Sequence, residues 1–234
     1  MANKKKYVLP LTFVLIEIVL YILIFTISAP ANKFISFASI LLCFLFSITL
    51  ISLNKTKILT QIGLLTTVIA DVFLVILGDY HVVAMCFFSI TQIAYFLRIL
   101  FNTESKKERI IHISIRVFVI IGTIIATILV LKENLDALSF VSMFYYANLI
   151  LNVIFAFVQI KKSVLFPIGL LFFAICDAFI GLQVAVGNYI FLSETSLIYK
   201  VVFSSFNWAW LFYVPSQVLI ALSIFFGQTK QKKK

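Results

Sequence analysis

Eight long apolar segments, nearly unbroken, account for most of the sequence and leave only short polar connections between them. A membrane-spanning helix needs about 20 apolar residues, whereas the strands of a transmembrane barrel alternate apolar and polar residues over about ten positions. The unbroken runs therefore predict an all-α fold, a polytopic bundle of eight transmembrane helices. We expect the spans at residues 7–28, 34–53, 57–78, 81–101, 111–131, 137–158, 164–186 and 201–226.

The composition leaves no room for a separate water-soluble domain. Of the 234 residues, 63% are hydrophobic and 12% are charged, compared with about 45–50% and about 25% in soluble domains. We therefore expect a single integral membrane domain over residues 1–234, surrounded by membrane lipids. The frequent use of Ile, Lys and Phe is typical of an AT-rich bacterial genome, which indicates a bacterial plasma membrane. The composition leaves the oligomeric state open.

The three cysteines do not form a metal or redox motif. Cys43, Cys86 and Cys176 lie in separate apolar segments, without the spacing of a zinc site or a redox pair. The sequence shows no other cluster of metal-ligating residues. We therefore expect three small packing residues, and no metal or other cofactor.

The basic residues predict the orientation of the bundle. Fourteen of the 19 Lys and Arg residues lie at the two termini and in the loops after spans two, four and six. Arg98 and Arg116, which can extend toward the same side, raise this number to 16, and the other side holds only Lys33, Lys132 and Lys200. Because cytoplasmic loops carry the excess of Lys and Arg, we expect both termini in the cytoplasm. The same rule accounts for the net charge of +10 without a nucleic-acid partner.

Spans three and seven contain similar segments. Residues 63–74 (GLLTTVIADVFL) and 169–180 (GLLFFAICDAFI) share Gly, Leu, Leu, Ile, Asp and Phe at a constant offset of 106 residues. Chance similarity between Leu- and Phe-rich segments is the alternative, but the shared Asp, eight residues after the shared Gly, makes it less attractive. Spans that are four apart have the same orientation, so the similarity predicts a parallel repeat of two four-helix halves, about 7–101 and 111–226.

Three acidic residues, Glu17, Asp71 and Asp177, lie within apolar spans. An ionisable residue at mid-helix costs about 2.5–3.5 kcal/mol to insert, so such residues normally face the bundle interior and mark function. Counted from the nearest cytoplasmic lysine, at 1.5 Å per residue, the three lie about 16, 21 and 22 Å deep. We therefore expect them at a similar level inside the bundle.

Three amide side chains on other spans, Gln92, Asn148 and Gln217, fall at a comparable depth, and Tyr95 and Tyr145 lie one turn from members of this set. The sequence therefore predicts a polar layer with one group from each of six spans. Hydrogen bonding between packed helices is the alternative role of these groups, and for Asn148 and Gln217 it is as well supported as a functional one. Two carboxyl groups that share a site of low dielectric hold one proton between them, which suits acid catalysis or proton coupling.

Four segments in order match the pattern of one membrane-protein family. They are ADVFLVILGDYHVVAMCFFSITQIAYFL across spans three and four, GLLFFAICDAFIGL in span seven, FYVPSQVLIALS in span eight, and Lys33 at the start of span two, where the family has Lys-Pro-Leu. With the matching length and number of spans, the sequence resembles the lysoplasmalogenase (YhhN-like) family over nearly the whole chain.

Four positions differ from the family pattern. Ala70 and Cys176 replace the Gly and the Ser that precede the two aspartates, and Phe34 replaces the proline after the lysine. Gln92 stands where the family has a histidine, with Tyr95 three residues later as expected. An amide does not titrate and cannot relay a proton, so the chain could be a member of the family that has lost catalysis.

The resemblance implies an enzyme that hydrolyses the vinyl-ether bond of lysoplasmalogens to a fatty aldehyde and a glycerophospho-base, with a lysophospholipid and water as its reactants. Asp71 and Asp177 are the candidate catalytic residues. The candidate substrate-binding or supporting residues are Gln92, Tyr95, Lys33, Tyr145, Asn148, Tyr213, Gln217 and Glu17. A proton-coupled transporter or a lipid-binding membrane protein would use the same acidic groups and is the alternative.

Overall fold

Eight long apolar helices form the structure, a computed structural model that describes residues 7–50, 54–188 and 192–226. Within these ranges the helices are α1 (Val8–Thr26), α2 (Ala31–Ile48), α3 (Lys55–Asp71), α4 (His81–Asn102), α5 (Lys106–Leu131), α6 (Ala137–Val158), α7 (Leu165–Asn188), α8 (Leu197–Val202) and α9 (Trp208–Phe226). All except α8 are long and apolar enough to cross a membrane. The all-α fold and the eight spans predicted from the sequence are confirmed.

Polar side chains determine where several helices begin. The side chains of Asn54, Ser105 and Asp136 each accept a hydrogen bond from a backbone N–H in the first turn of the following helix. Such N-caps satisfy donors that have no partner within the helix. The cap at Ser105 starts α5 at residue 106, five residues before the predicted boundary at 111, because the charged first turn of α5 is helical although it is not apolar.

The predicted last span, 201–226, is too long. The structure has the short helix α8 up to Val202, then a turn, and α9 begins only at Trp208. Within the turn, the Asn207 side chain accepts a hydrogen bond from the N–H of Trp210 at 3.3 Å, and the Trp208 indole N–H donates to the Ser204 hydroxyl at 2.9 Å. These polar contacts interrupt an apolar run that hydropathy alone predicts to be one continuous helix.

The last helix, α9, occupies a central place in the bundle. It packs against α7, α2, α3 and α1, while α4 packs between α3 and α6. Helix α5 lies at the periphery and packs mainly against α6. Because α9 contacts both α3 and α7, it brings together the two helices that carry the repeated Asp.

In α1–α4 each helix packs against the next one in the chain, and the same holds for the series α5, α6, α7 and α9. The fourth helix of each series also packs against the second helix of the other, α4 against α6 and α9 against α2. A repeat of two halves would produce this order. The parallel repeat itself and the cytoplasmic location of both termini stay predictions.

Two glycines allow close helix contacts. A Cβ atom on Gly63 would lie 2.2 Å from Cε1 of Tyr95, and a Cβ atom on Gly169 would lie 2.8 Å from Cγ1 of Ile220. Small residues of this kind let membrane helices approach each other closely. The pairs α3–α4 and α7–α9 are therefore tightly packed about two turns from the two aspartates.

Candidate active site

Each of the two predicted catalytic aspartates accepts a hydrogen bond from a tyrosine on a different helix. Tyr213 of α9 donates to Oδ2 of Asp71 of α3 at 2.7 Å, and Tyr145 of α6 donates to Oδ2 of Asp177 of α7. Asp71 is 1% exposed and Asp177 is 9% exposed. Four helices thus contribute to two buried acid–phenol pairs.

Aromatic rings connect the two pairs into one cluster. The Phe173 ring lies between the tyrosines, with its centroid 5.5 Å from that of Tyr213 and 6.5 Å from that of Tyr145. We call Asp71, Tyr213, Phe173, Tyr145 and Asp177 the aspartate–tyrosine cluster. The two acids that lie 106 residues apart in the chain therefore share one buried site.

The two carboxyl groups differ in their hydrogen bonds. Within the described residues, Oδ1 of Asp71 is buried and has no hydrogen-bond partner. Asp177 accepts a side-chain hydrogen bond from Tyr145, and Tyr146 donates to its backbone carbonyl. A buried polar atom without a hydrogen-bond partner is costly. Oδ1 of Asp71 would therefore gain from a hydrogen bond to a bound molecule.

The backbone changes its geometry directly after Asp71. Helix α3 ends at this residue and continues as a π-helical segment, Val72–Leu77. Gly78 then ends the segment with φ of 83°, and its N–H donates to the carbonyl of Phe73 at 3.0 Å. Most side chains avoid this left-handed conformation, whereas glycine adopts it freely. Single π-helical turns occur often at functional sites, and here the turn adjoins the acid with the free oxygen.

Two predicted site residues, Gln92 and Asn148, belong to a separate network around Arg116. The Arg116 guanidinium donates to the side-chain oxygens of Asn148 and Asn152, and Asn152 donates to Oε1 of Gln92 at 2.9 Å. Among the described residues, no hydrogen bond joins Gln92 to either aspartate. We refer to Arg116, Asn148, Asn152 and Gln92 as the Arg116 network.

The two arginines do not extend out of the bundle, contrary to the prediction from the sequence. Arg116 is 5% exposed and lies 4.0 Å from the centroid of the Phe96 ring. Arg98 is 4% exposed, and its Nη1 donates to Thr60 and Ser223, each at 2.8 Å. Snorkelling requires an open path to the interface, but polar acceptors on neighbouring helices hold both charges inside.

Three further candidates lie outside the aspartate–tyrosine cluster. Tyr95 is fully buried, with its ring against Gly63 and 5.5 Å from the Phe166 ring. The amide nitrogen of Gln217 donates to Ser216 at 3.1 Å. Lys33, at the start of α2, lines a cavity. None of the three hydrogen-bonds either aspartate in the described structure.

Glu17 forms its own small group between α1 and α2. It is 3% exposed and accepts hydrogen bonds from the Ser39 hydroxyl at 2.6 Å and from the Cys43 thiol at 3.5 Å. Cys43 and Cys176 are buried, but Cys86 is exposed on α4. The expectation of three packing cysteines is therefore wrong for Cys86, because its position on α4 faces away from the bundle.

The six members of the predicted polar layer do not form a single hydrogen-bonded group, and their common depth stays a prediction. All six of its members are buried, each 9% exposed or less, but their hydrogen bonds divide them among separate groups. Residues missed at the sequence level include Phe173, which joins the two acid–phenol pairs, and Asn152, which binds Arg116. Asn152 lies four residues after Asn148 on the same helix face, and this spacing could have predicted that the two act together. Phe173 gave none, because one phenylalanine among 26 is not distinctive.

The structure shows no metal centre in the residues it describes. Within those ranges, no three His, Cys, Asp or Glu side chains lie close enough together to hold a metal ion. The absence of a cofactor stays a prediction.

These features define a multi-pass membrane protein with a pair of buried carboxyl groups at the centre of its helical bundle. The chain belongs to the YhhN family, whose model matches residues 31–224. That range includes both aspartates and every other member of the cluster. Comparisons with curated proteins and with solved structures gave no significant match.

Proposed function

We propose that the protein is a membrane-embedded hydrolase that cleaves the vinyl-ether bond of lysoplasmalogens. The observation that carries the proposal is the aspartate–tyrosine cluster, in which Asp71 and Asp177 are both buried and share one aromatic environment. Membership in the YhhN family fits this role. Cleavage of an ether through a cationic intermediate is chemistry for which enzymes commonly use two carboxyl groups.

In the first step, the protonated carboxyl group of Asp71 donates its proton to the β-carbon of the vinyl ether. The electron pair of the carbon–carbon double bond forms the new C–H bond, and the ether oxygen stabilises the resulting oxocarbenium ion. We assign the donor role to Asp71 because its Oδ1 has no hydrogen-bond partner in the described structure. Asp177, the less buried of the two acids at 9% exposed against 1%, takes the role of the carboxylate.

In the second step, water adds to the cationic carbon. The carboxylate of Asp177 stabilises the cation and accepts a proton from the water as it attacks, which leaves a hemiacetal. The hemiacetal then collapses: the carboxylate of Asp71 accepts its hydroxyl proton, and the glycerol oxygen leaves with the proton that Asp177 took from water. The products are a fatty aldehyde and a glycerophospho-base, and the carboxyl groups return to their starting protonation states.

The surroundings of the cluster suit this reaction. Phe88 lies with its ring centroid 6.0 Å from that of Phe173 and 5.8 Å from that of Tyr145, so a group of packed aromatic rings adjoins the acids. Charge–charge interactions are stronger where water is excluded, and the negative faces of aromatic rings attract cations. A transient oxocarbenium ion would be stabilised by both effects.

The alternative predicted from the sequence is proton-coupled transport. Secondary transporters typically build their sites from discontinuous helices. Here α3 passes directly into its π-helical segment after Asp71, and α9 remains helical through Pro215. Helix continuity at the site favours the hydrolase over the transporter.

The test is release of fatty aldehyde from lysoplasmalogen by the purified full-length protein. Asp71→Asn and Asp177→Asn should each lower the rate by at least about 100-fold, the usual contribution of a positioned acid or base. Asp79→Asn is the matched control, because Asp79 is an exposed residue in the short connection between the π-helical segment and α4. Undiminished aldehyde release by both cluster variants would refute the mechanism, and proton-dependent uptake without hydrolysis would support transport instead.

A further inference from the structure

A cavity of about 140 Å³ lies at one end of the bundle, where α1 ends, α2 and α9 begin, and the π-helical segment passes. It is several times larger than the share of one water molecule in the liquid, about 30 Å³. The residues that line it are Ile24, Phe25, Asn32, Lys33, Ser36, Val75, Asn207 and Trp210. None of them is acidic, so the only formal charge in the lining is the cation of Lys33.

The polar groups of this cavity can serve as hydrogen-bond donors. In the described part of the chain, the Lys33 ammonium has no carboxylate within ion-pair distance. Ser36 is 3% exposed, and its hydroxyl makes no hydrogen bond to any described residue. Asn32, Asn207 and Trp210 also line the cavity, and the side chain of each carries an N–H donor. A buried serine whose hydroxyl has no partner among the described residues, beside a cation without an ion-pair partner, is suited to an anion with several oxygens.

Two helix N-termini reinforce this preference. The cavity is lined by the first turns of α2, 18 residues long, and by the cap and first turn of α9, 19 residues long. The N-terminus of a helix carries a partial positive charge, which favours a bound anion such as phosphate. Two such ends and one lysine therefore bring positive potential to the same small space.

The cavity is adjacent to the aspartate–tyrosine cluster. The Trp210 ring contacts the Tyr213 ring with centroids 5.3 Å apart, and Tyr213 donates to Asp71 at 2.7 Å. Val75, in the cavity wall, lies four residues after Asp71, about one helical turn or about 5 Å along the axis. In a lysophospholipid, one glycerol unit separates the phosphate from the ether oxygen, which is a span of the same order.

We propose that this cavity binds the phosphodiester of the lysophospholipid headgroup, with Lys33 and Ser36 as its main ligands, and so places the ether bond at Asp71. The proposal rests on the proposed function, since it assigns the headgroup end of the same substrate. A second cavity, of about 190 Å³, also contains Asn207 but has no cationic or anionic residue in its lining. The lysine therefore distinguishes the phosphate site from its neighbour.

The test measures binding separately from catalysis. Radiolabelled 1-O-alkyl-glycerophosphocholine, which has no vinyl-ether bond to cleave, is titrated against the full chain in nanodiscs, with empty nanodiscs as the blank. Phosphate-free 1-O-alkylglycerol is titrated in parallel. Lys33→Gln should weaken binding of the phospholipid about tenfold, the loss expected for one charge-assisted hydrogen bond. Its affinity for the alkylglycerol should fall much less, so that the ratio of the two affinities decreases.

Two further variants sharpen the result. Ser36→Ala should lower the same affinity ratio, because it removes the buried hydroxyl without changing the charge. Lys200→Gln is the matched control, since Lys200 is an exposed lysine of α8 that does not line the cavity. Equal phospholipid affinity in Lys33→Gln and Lys200→Gln would overturn the proposal, and so would an equal loss of affinity for both ligands.

Competition distinguishes a lipid headgroup from a soluble phosphate. If the site serves a lipid, inorganic phosphate and glycerophosphocholine should displace the alkyl phospholipid only weakly. Strong displacement by either one would contradict the proposal and identify a soluble phosphate ligand. The binding result is independent of hydrolysis, because Lys33-dependent binding in Asp71→Asn protein would stand even if no aldehyde is ever released.

Discussion

Tyr213 donates a hydrogen bond to Asp71 at 2.7 Å and thereby joins the last helix of the bundle to the third. The two residues are 142 positions apart in the chain. This bond leaves Oδ1 of Asp71 as the free oxygen of a buried carboxyl group. The orientation of the candidate proton donor thus depends on the packing of α9 against α3.

Tyr213→Phe should lower aldehyde release about tenfold, because it removes the donor that orients Asp71 while the ring keeps its contacts with Phe173 and Trp210. The loss should appear mainly in kcat, which is measured under saturating lysoplasmalogen. Tyr80→Phe, at an exposed position, should behave like the wild type. A wild-type kcat in Tyr213→Phe would mean that this hydrogen bond does not position the reacting carboxyl group.

Gly63→Ala should destabilise the protein by about 1–3 kcal/mol, the usual cost of overpacking. A Cβ atom at this position would lie 2.2 Å from the Tyr95 ring. The measurement is thermal unfolding in detergent. Gly122→Ala is the control, since nothing lies within 4 Å of its Cβ position, and alanine is the better helix former, so this variant should be neutral or stabilised.

A second variant tests the origin of that loss. Tyr95→Leu removes the ring that a methyl group at residue 63 would strike, so Gly63→Ala should cost less in the Tyr95→Leu background. If the two losses are simply additive, the close contact between α3 and α4 is not what limits residue 63.

Arg116→Met should destabilise the bundle by about 3 kcal/mol, because it leaves the side-chain oxygens of Asn148 and Asn152 without their charged donor. Replacing both asparagines with leucine in the same protein should recover part of the loss, since no buried acceptor is then unpaired. The readout is again thermal unfolding in detergent. Lys107→Gln, exposed in the first turn of α5, should have little effect, and an equal effect of the two substitutions would argue against the Arg116 network as a structural element.

Gln92→His tests whether the chain has lost catalysis through this difference from the family pattern. Gln92 accepts a hydrogen bond from Asn152 and makes none with either aspartate in the described structure, so we expect aldehyde release to rise less than about twofold, a change of under 0.5 kcal/mol in the barrier. A large increase would show that a titratable group at this position relays a proton, and that the glutamine limits the reaction.

The orientation of the bundle predicts where reporters will be active. A green fluorescent protein fused after the C-terminus should be fluorescent, and alkaline phosphatase fused there should be inactive, because both termini are predicted in the cytoplasm. Alkaline phosphatase fused within residues 132–136 should be active. An active phosphatase at the C-terminus would contradict the predicted orientation.

The number of spans and most of their boundaries follow from the sequence because insertion of an apolar segment is a local property. The exceptions arise where polar capping competes with hydropathy. Ser105 starts α5 early within a charged turn, and the contacts of Ser204 and Asn207 delay the start of α9. Hydropathy does not predict these two helix starts, because each depends on hydrogen bonds within a turn of a few residues.

The burial of Asp71 and Asp177 was also foreseeable, since a carboxyl group within an apolar span must avoid lipid. Their partners were not. Tyr145 was associated with the depth of Asn148, but its hydroxyl donates to Asp177. Asn148 accepts a hydrogen bond from Arg116, and Gln92 accepts one from Asn152. Periodicity along one helix shows which residues share a face, but it does not show which helix that face meets.

The sequence by itself therefore determined the class of fold, the eight spans and the need to bury three acids, because each depends on the free energy of placing one segment in a membrane. The tertiary structure alone decided that α9 lies between α3 and α7, that Phe173 joins the two acid–phenol pairs, and that Arg116 stays inside the bundle. These outcomes depend on contacts between residues far apart in the chain, and close packing and hydrogen-bond geometry select them only once all the helices are in place.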